Sequence, residues 1–456
     1  MTTIPFAFSS TVMDLPETLL MPASNPLKIA IIGFGTVGSG VARLLSEHQQ
    51  HISCQAGRDL EISRIVVRDV SRQREWLPAG AKVSESVQDV ADDPNIDLVV
   101  QLVGGISPAH DYMTTFLKSG KDIVTANKAL IYEHGDTLFQ LAQTERRTIG
   151  FEAAVAGGIP IVGAISQSLT GNQIHSIEAI LNGTSNFILT RMLNDHQTYD
   201  DVLKEAQALG YAEADPSMDV DGTDAAQKLA ILSDLAFATP VRLDQFTKQG
   251  IEKIQLMDLQ VAAELGYRIK LLATARQNAG SLELAVQPTL VGVDRTIAQT
   301  DGADNIVTVE GSAAGRLVFA GAGAGQLPTA SAVVADIIDY ATGRTTVTFR
   351  SILKARQRPP LKLRPADELR RSYYLRFSVD DRPHVLADIT DVLGRNEISL
   401  SSVRQDPAKA EETNPQQIAR LVMMTHEICE GQLRKATTEL QALGCIRGKG
   451  IQLPVA

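Results

Sequence analysis

The sequence predicts an α/β chain of about three domains. A parallel, doubly wound sheet comes first, an α+β domain follows, and a small β-α-β-β-α-β unit closes the chain. Three observations carry this reading. The chain has 456 residues, enough for domains of roughly 150 residues each. Residues 27–38 form an apolar run of strand length that ends in a glycine-rich turn. A basic, proline-broken stretch at 351–371 sets off a C-terminal segment whose strand and helix patterns alternate in the ferredoxin-like order.

Composition narrows the class. Hydrophobic residues at 44% and charged residues at 21% are ordinary for globular protein, and 34 Gly with 19 Pro exclude a collagenous or low-complexity chain. The formal net charge of −10 argues against non-specific nucleic-acid binding, which runs on phosphate neutralisation. Cys54, Cys429 and Cys445 are too few for a disulfide framework and lack metal-site spacing, which points to a reducing compartment. No apolar run approaches the roughly 18 residues of a membrane span. The first 25 residues contain no Lys or Arg, so neither a secretory nor a transit signal is supported. Residues 1–25 read as a flexible extension, and the protein as cytoplasmic.

Residues 26–150 read as the first domain. Leu27–Gly33 is a strand, and Gly33-Phe34-Gly35-Thr36-Val37-Gly38 then leads into helical apolar spacing. This is the strand-turn-helix setting of a dinucleotide-binding, Rossmann-type fold, in which helix N–H groups face a pyrophosphate. The second strand, Ile62–Val67, ends at Arg68-Asp69. An acidic residue there reads the 2′-OH of NAD, and an Arg the 2′-phosphate of NADP. With Arg68 first, NADP(H) is preferred and NAD(H) stays open. Strands at 97–103 and 122–127 follow, and Lys128 falls just beyond the latter, at the edge where such sheets bind ligands.

Residues 151–330 read as the second domain, with part of 310–350 returning to complete the first. Gly157-Gly158 and Pro160 break an apolar run, leaving an irregular turn whose carbonyls face either a cation or only the next element. A strand at 177–182 closes on Asn182-Gly183-Thr184, and a helix follows over 187–193. Then Glu213, Asp215, Asp219, Asp221 and Asp224 crowd one segment ahead of Lys228. A calcium loop is excluded, because Lys228 would stand where a bidentate Glu is required. Asp224 and Lys228 are i and i+4 on a helix. They form either an ordinary ion pair worth a few tenths of a kcal/mol or part of a cradle for a cationic substrate. Gly321, Gly323 and Gly325 precede a helix around 330–340, either to let backbone approach a ligand or as a crossover loop.

Taken in order, GFGTVG, TANKAL, EAAVAGGIP, LNGTSNFIL, GYAEADPSMDVDGTDAAQKLAIL and GAGAGQLPTASAVVAD resemble the motifs of homoserine dehydrogenase over roughly residues 27–345. The resemblance implies reduction of aspartate 4-semialdehyde to homoserine with a nicotinamide cofactor, on the way to threonine, methionine and isoleucine. It implies Lys228 as proton donor and Lys128 beside substrate and nicotinamide. Glu213, Asp219 and Asp224 would hold the substrate, and Gly325 would join the cofactor site. A sodium-type ion is implied near Glu152, Val155, Gly157 and Ile159, bound mostly through backbone carbonyls, as is a homo-oligomer, dimer or tetramer. The chemistry agrees: hydride addition to a carbonyl leaves an alkoxide that needs an acid or a cation. Thiol catalysis is disfavoured, since no cysteine lies in the middle region.

Residues 351–371 read as a solvated linker. Residues 372–456 resemble an ACT domain, an amino-acid-sensing module, which implies a threonine effector and turnover that survives truncation near residue 350. The usual glycine after the proline of its first turn is His384 here, which puts effector binding at that turn in doubt. Two other readings remain: another semialdehyde or hydroxy-acid oxidoreductase, and a non-catalytic amino-acid sensor.

Overall fold

The computed structural model describes residues 23–212, 215–406 and 418–456. Most of the expected N-terminal extension, Glu213 and the acidic loop at 407–417 lie outside the described residues. Strands β1 (Ala23–Ile32), β2 (Arg58–Val66), β3 (Lys82–Ser84), β4 (Leu98–Gln101), β5 (Asp122–Thr125) and β6 (Ile149–Gly150) form one sheet in the order 3-2-1-4-5-6. Every neighbouring pair is parallel, the doubly wound arrangement. Ile29, Ile31, Leu98, Val99 and Val100 are fully buried. That burial explains why these strands read as unbroken apolar runs rather than alternations. One face is covered by the helix Thr36–Glu47 together with the distant helix Gln326–Ala341, whose Ala330, Val333 and Ile337 share a core with Ile29, Ile31 and Val41. The late segment thus completes the first domain.

The second sheet contains β7 (Ile174–Ile180), β8 (Thr247–Lys248), β9 (Tyr267–Asn278), β10 (Ser281–Gly292), β11 (Asp304–Gly311), β12 (Gly315–Ala322) and β13 (Lys362–Leu363). Its order is β12-β11-β7-β9-β10-β13, with β8 against β10. Ile177, Ala179, Leu271, Ala273 and Ala275 pack in one core with Ile188 of the helix Gly183–Asp195 and Leu229 and Leu232 of the helix Thr223–Phe237. The latter helix also lies against the helix Lys128–Thr144 of the first domain, which brings the two lysine-bearing segments together.

Residues 351–371 are structured, against the expectation of a solvated linker. The helix Arg344–Ala355 buries Phe349 and Ile352, and β13 pairs with β10. The basic residues misled because several are neutralised by distant carboxylates, as in Arg364–Glu283 at 2.7 Å.

The third domain follows with β14 (Arg370–Arg371), β15 (Tyr373–Asp380), β16 (Leu400–Asp406), β17 (Ile418–Thr425), β18 (Ile428–Cys429) and β19 (Ile446–Pro454). Its main sheet runs β16-β17-β15-β19, all antiparallel, the ferredoxin-like order, while β14 pairs with β18. Helices Val385–Arg395 and Glu430–Gln441 cover one face. Tyr374, Val422, Met424, Ile451 and Leu453 on the other face join the core of the middle domain. The third domain is therefore packed on both faces and is no tethered appendage. A chain cut near residue 350 would expose the apolar face of the middle domain, so the expected survival of turnover no longer follows.

Candidate active site

Two strand-to-helix turns aim the polar groups of the site at one another. After β5, Asn127 caps the helix Lys128–Thr144 by accepting from the Leu130 amide, and its Nδ2 donates to the carbonyls of Val103 (2.9 Å) and Gly105 (2.6 Å). Thr125 steadies the turn, donating to Gln101 Oε1 (2.7 Å) and accepting from the Asn127 amide (3.1 Å). Lys128 is accordingly the first residue of a helix rather than the tip of a strand. After β7, Asn182 caps the helix Gly183–Asp195 by accepting from the Ser185 amide at 2.8 Å. Its Nδ2 reaches both Asp219 Oδ1 (2.8 Å) and Asp224 Oδ2 (2.9 Å).

Asp224 stands in the first turn of the helix Thr223–Phe237, where the helix dipole favours a carboxylate. It bridges both lysines: Lys128 Nζ bonds Oδ1, and Lys228 Nζ lies 2.9 Å from Oδ2. Burial pushes the Asp224 carboxyl up, but the ammoniums of Lys228 and Lys128 outweigh it and hold it well below the usual carboxylate range. Lys228 and Asp224 side chains are only 12% and 11% exposed, so the exposed ion-pair reading does not describe them. Lys228 Nζ also donates to the Leu181 carbonyl at 2.7 Å. An ammonium has three donors, and these contacts leave Lys228 one to give.

Asp219 is half-buried, and burial raises its carboxyl while the bond from Asn182 opposes the shift. Of the remaining carboxylates, Asp215 bonds Ser217 in its own turn, and Asp221 pairs with Lys248 at 3.0 Å. Neither joins the lysine centre. Glu213 lies outside the described residues. The asparagine Asn182 was not singled out as a site residue in the sequence, although an Asn ahead of a helical pattern is an N-cap signal.

The glycine turn forms the other half. A Cβ on Gly38 would lie 2.3 Å from the Gly33 carbonyl, so only glycine lets the helix close on the strand, whereas a Cβ on Gly35 would meet nothing within 4 Å. The turn is therefore closed beneath and open above, as a pyrophosphate requires. Above it lies a cleft of about 1060 Å³ lined by Phe34, Gly35, Thr36, Arg43, Arg72 and Arg74, among others. Val37 is half-buried behind the turn. Gln326, next to Gly325, also lines the cleft and donates to Ser39 Oγ at 3.1 Å. Arg68 is exposed and outside the cleft lining. Asp69 binds Ser71 within its own turn. Arg43, Arg72 and Arg74 were missed because they sit in a helix and a loop rather than at the strand end.

Around Glu152 the backbone makes a buried irregular turn. The Glu152 carboxyl accepts from the amides of Val162 (2.9 Å) and Gly163 (2.6 Å), and burial pushes it up to about 7. Ile159 offers its carbonyl to the Ile161 amide at 2.8 Å. The buried carbonyls of Val155 and Gly157 accept no hydrogen bond among the described residues. Buried carbonyls without partners are uncommon, and such oxygens suit a hard monovalent cation. No helix among the described residues is long and apolar enough to cross a membrane.

Comparison with known proteins matches these parts in order. The family model "Homoserine dehydrogenase, NAD binding domain" matches residues 33–152, "Homoserine dehydrogenase" matches 160–338, and "ACT domain" matches 373–445. The homoserine dehydrogenase of Pseudomonas aeruginosa is 40% identical over 436 residues, covering 94% of this chain and 99% of its own. The crystal structure of a homoserine dehydrogenase from Thiobacillus denitrificans superposes with a TM-score of 0.86 at 40% identity, covering 95% of this chain and 98% of that one. A hyperthermophilic archaeal homoserine dehydrogenase mutant in complex with NADPH superposes with a TM-score of 0.59 at 27% identity over 70% of this chain and 98% of that one. Matched by these family models in order and by relatives 40% identical along nearly their whole length, the chain belongs to the homoserine dehydrogenase family, oxidoreductases acting on a CH–OH group.

Proposed function

We propose that the chain interconverts L-aspartate 4-semialdehyde and L-homoserine, with Lys228 as the proton donor and Lys128 and Asp224 fixing it in place. One observation carries the reading: a single buried carboxylate, Asp224, bridges two lysines at the meeting of the two domains. A bound nicotinamide cofactor supplies the hydride. Reduction adds that hydride to the aldehyde carbon and a proton to its oxygen, and Lys228 gives the proton through its remaining N–H. Lys128 adds a second positive charge toward the forming alkoxide. Asp219, with one oxygen held by Asn182, receives the substrate ammonium together with Glu213.

NADP(H) is the preferred cofactor in this reading, supported by Arg43, Arg72 and Arg74 in the cleft lining. The NADPH named with the archaeal relative agrees. Glu152, Val155, Gly157 and Ile159 would hold a sodium-type cation that stiffens the turn between the domains. The C-terminal domain would bind threonine and lower activity, within threonine, methionine and isoleucine biosynthesis. A cytoplasmic homo-oligomer completes the proposal, with β12 offering a sheet edge that no other strand pairs among the described residues. Following NADPH absorbance with aspartate semialdehyde, and NADP reduction with homoserine, tests it. Absence of turnover in both directions would refute it.

A further inference from the structure

The two lysines stand on two different helices, so their separation depends on how those helices are held. Asp224 ties them at one point. Further along, packing does not finish the work: a cavity of about 60 Å³ lies between the helices, lined by Ile131, Gly135, Phe139, Ala230 and Ile231 among others. Beside that gap, Nη2 of Arg356 forms an ion pair with Asp136 and lies 3.3 Å from Asp234 Oδ2. Asp136 belongs to the helix that begins with Lys128, and Asp234 to the helix that carries Lys228. Arg356 also stacks over the Phe139 ring, 5.1 Å from its centroid. It is the C-terminal cap of the helix Arg344–Ala355, which follows the helix that completes the cofactor domain.

We infer that Arg356 is a positioning residue for the reaction: it clamps the Lys128 and Lys228 helices about two turns from the site and thereby sets the spacing of the two ammonium groups. The inference rests on the proposed roles of those lysines. Its physical basis is a shared cation: one guanidinium nitrogen, Nη2, stands between two carboxylates, one on each helix, while the guanidinium lies over the Phe139 ring. The Arg356 side chain is 17% exposed and Asp234 18%, so solvent screens this arm little, while Asp136 is 69% exposed. Asp234 Oδ1 has no hydrogen-bond partner among the described residues, and Arg356 is the cation beside its other oxygen. An ångström of drift in a reacting group can cost on the order of 100-fold in rate.

Steady-state kinetics of Arg356→Gln, Arg356→Lys and Asp136→Asn in the full chain test the clamp. Arg356→Gln should lower kcat by roughly 10- to 100-fold with KM for NADP within about two-fold of the parent. Arg356→Lys should fall between. Asp136→Asn, whose exposed side chain adds little to stability, should lower kcat several-fold without moving the melting temperature. The double variant Asp136→Asn/Arg356→Gln should be no slower than Arg356→Gln alone, because both act through one bridge. A lower melting temperature with kcat unchanged in Arg356→Gln would leave Arg356 a structural residue and overturn the inference. Should Arg356→Gln fail to fold, Asp136→Asn decides alone, and an unchanged kcat there overturns the clamp. Lys228→Ala measured alongside separates the two claims: retained turnover in that variant removes the lysine reading, whereas its loss together with an untouched Arg356→Gln removes only the clamp.

Discussion

Asp258 and Arg376 meet across the boundary between the catalytic and C-terminal domains in a buried, two-pronged ion pair, with Nε at 2.6 Å and Nη2 at 3.2 Å from the carboxylate oxygens. Asp258 is fully buried, and Tyr374 donates to the same Oδ1 at 2.9 Å. The second oxygen caps the helix Leu256–Glu264 through the Gln255 amide at 2.9 Å. Removing one partner leaves the other charge buried and alone, which typically costs about 3–5 kcal/mol. Asp258→Ala should destabilise the protein on that scale in urea unfolding. Asp258→Leu/Arg376→Met, which removes both charges, should lie nearer the parent. Equal losses for the single and double variants would mean that apolar packing alone joins the domains.

The shared core between the two domains is testable at the same boundary. Because the C-terminal sheet shares a core with the catalytic domain, truncation near residue 350 should give insoluble or inactive protein rather than a desensitised enzyme. Soluble, fully active protein from that truncation would show that the shared core is dispensable.

Cofactor choice should follow the cleft rather than the strand end. Arg72→Ala should raise KM for NADP by about ten-fold or more, the scale of one charge-assisted bond, and leave NAD nearly unchanged. Arg68→Ala serves as the comparison, and a larger NADP effect there than in Arg72→Ala would return the phosphate contact to the strand end.

What the sequence revealed and concealed follows from chain separation. The glycine turn, the buried strands and the Lys128, Asp219, Asp224 and Lys228 positions lie within local patterns, where periodicity and caps act over a few residues. The identity of Asp224 as bridge to both lysines needed two helices to be brought together from far apart in the chain. Arg356 and Arg364 read as solvated because basic composition does not show that Asp234 and Glu283 come to meet them. Asp258 lies more than a hundred residues from Tyr374 and Arg376, so no local pattern marks it as a buried ion-pair partner.

Asp224 should also set the acid sensitivity of the fold. Its folded-state carboxyl lies below the ordinary value of about 4, so its contribution to stability is complete above that value and is lost as pH falls toward the lower folded value. Urea unfolding below about pH 4 should therefore fall less steeply with pH for Asp224→Asn than for the parent. Parallel curves would mean the two lysines do not hold the carboxylate down. The same variant should lose roughly 100-fold in kcat/KM, since neither lysine then has its anchor.

The proton-donor role of Lys228 is tested most directly by kcat of Lys228→Ala in the homoserine-oxidation and semialdehyde-reduction directions, with cofactor binding and thermal unfolding measured on the same preparation. The expected result is a fall in kcat of about two to four orders of magnitude, folded protein, and nearly unchanged NADP affinity. Lys228→Arg should not restore the rate, because a guanidinium stays protonated and does not cycle as acid and base. Near-parental turnover in Lys228→Ala, with only a small loss of stability, would contradict the assignment and leave Lys228 as no more than a partner of Asp224.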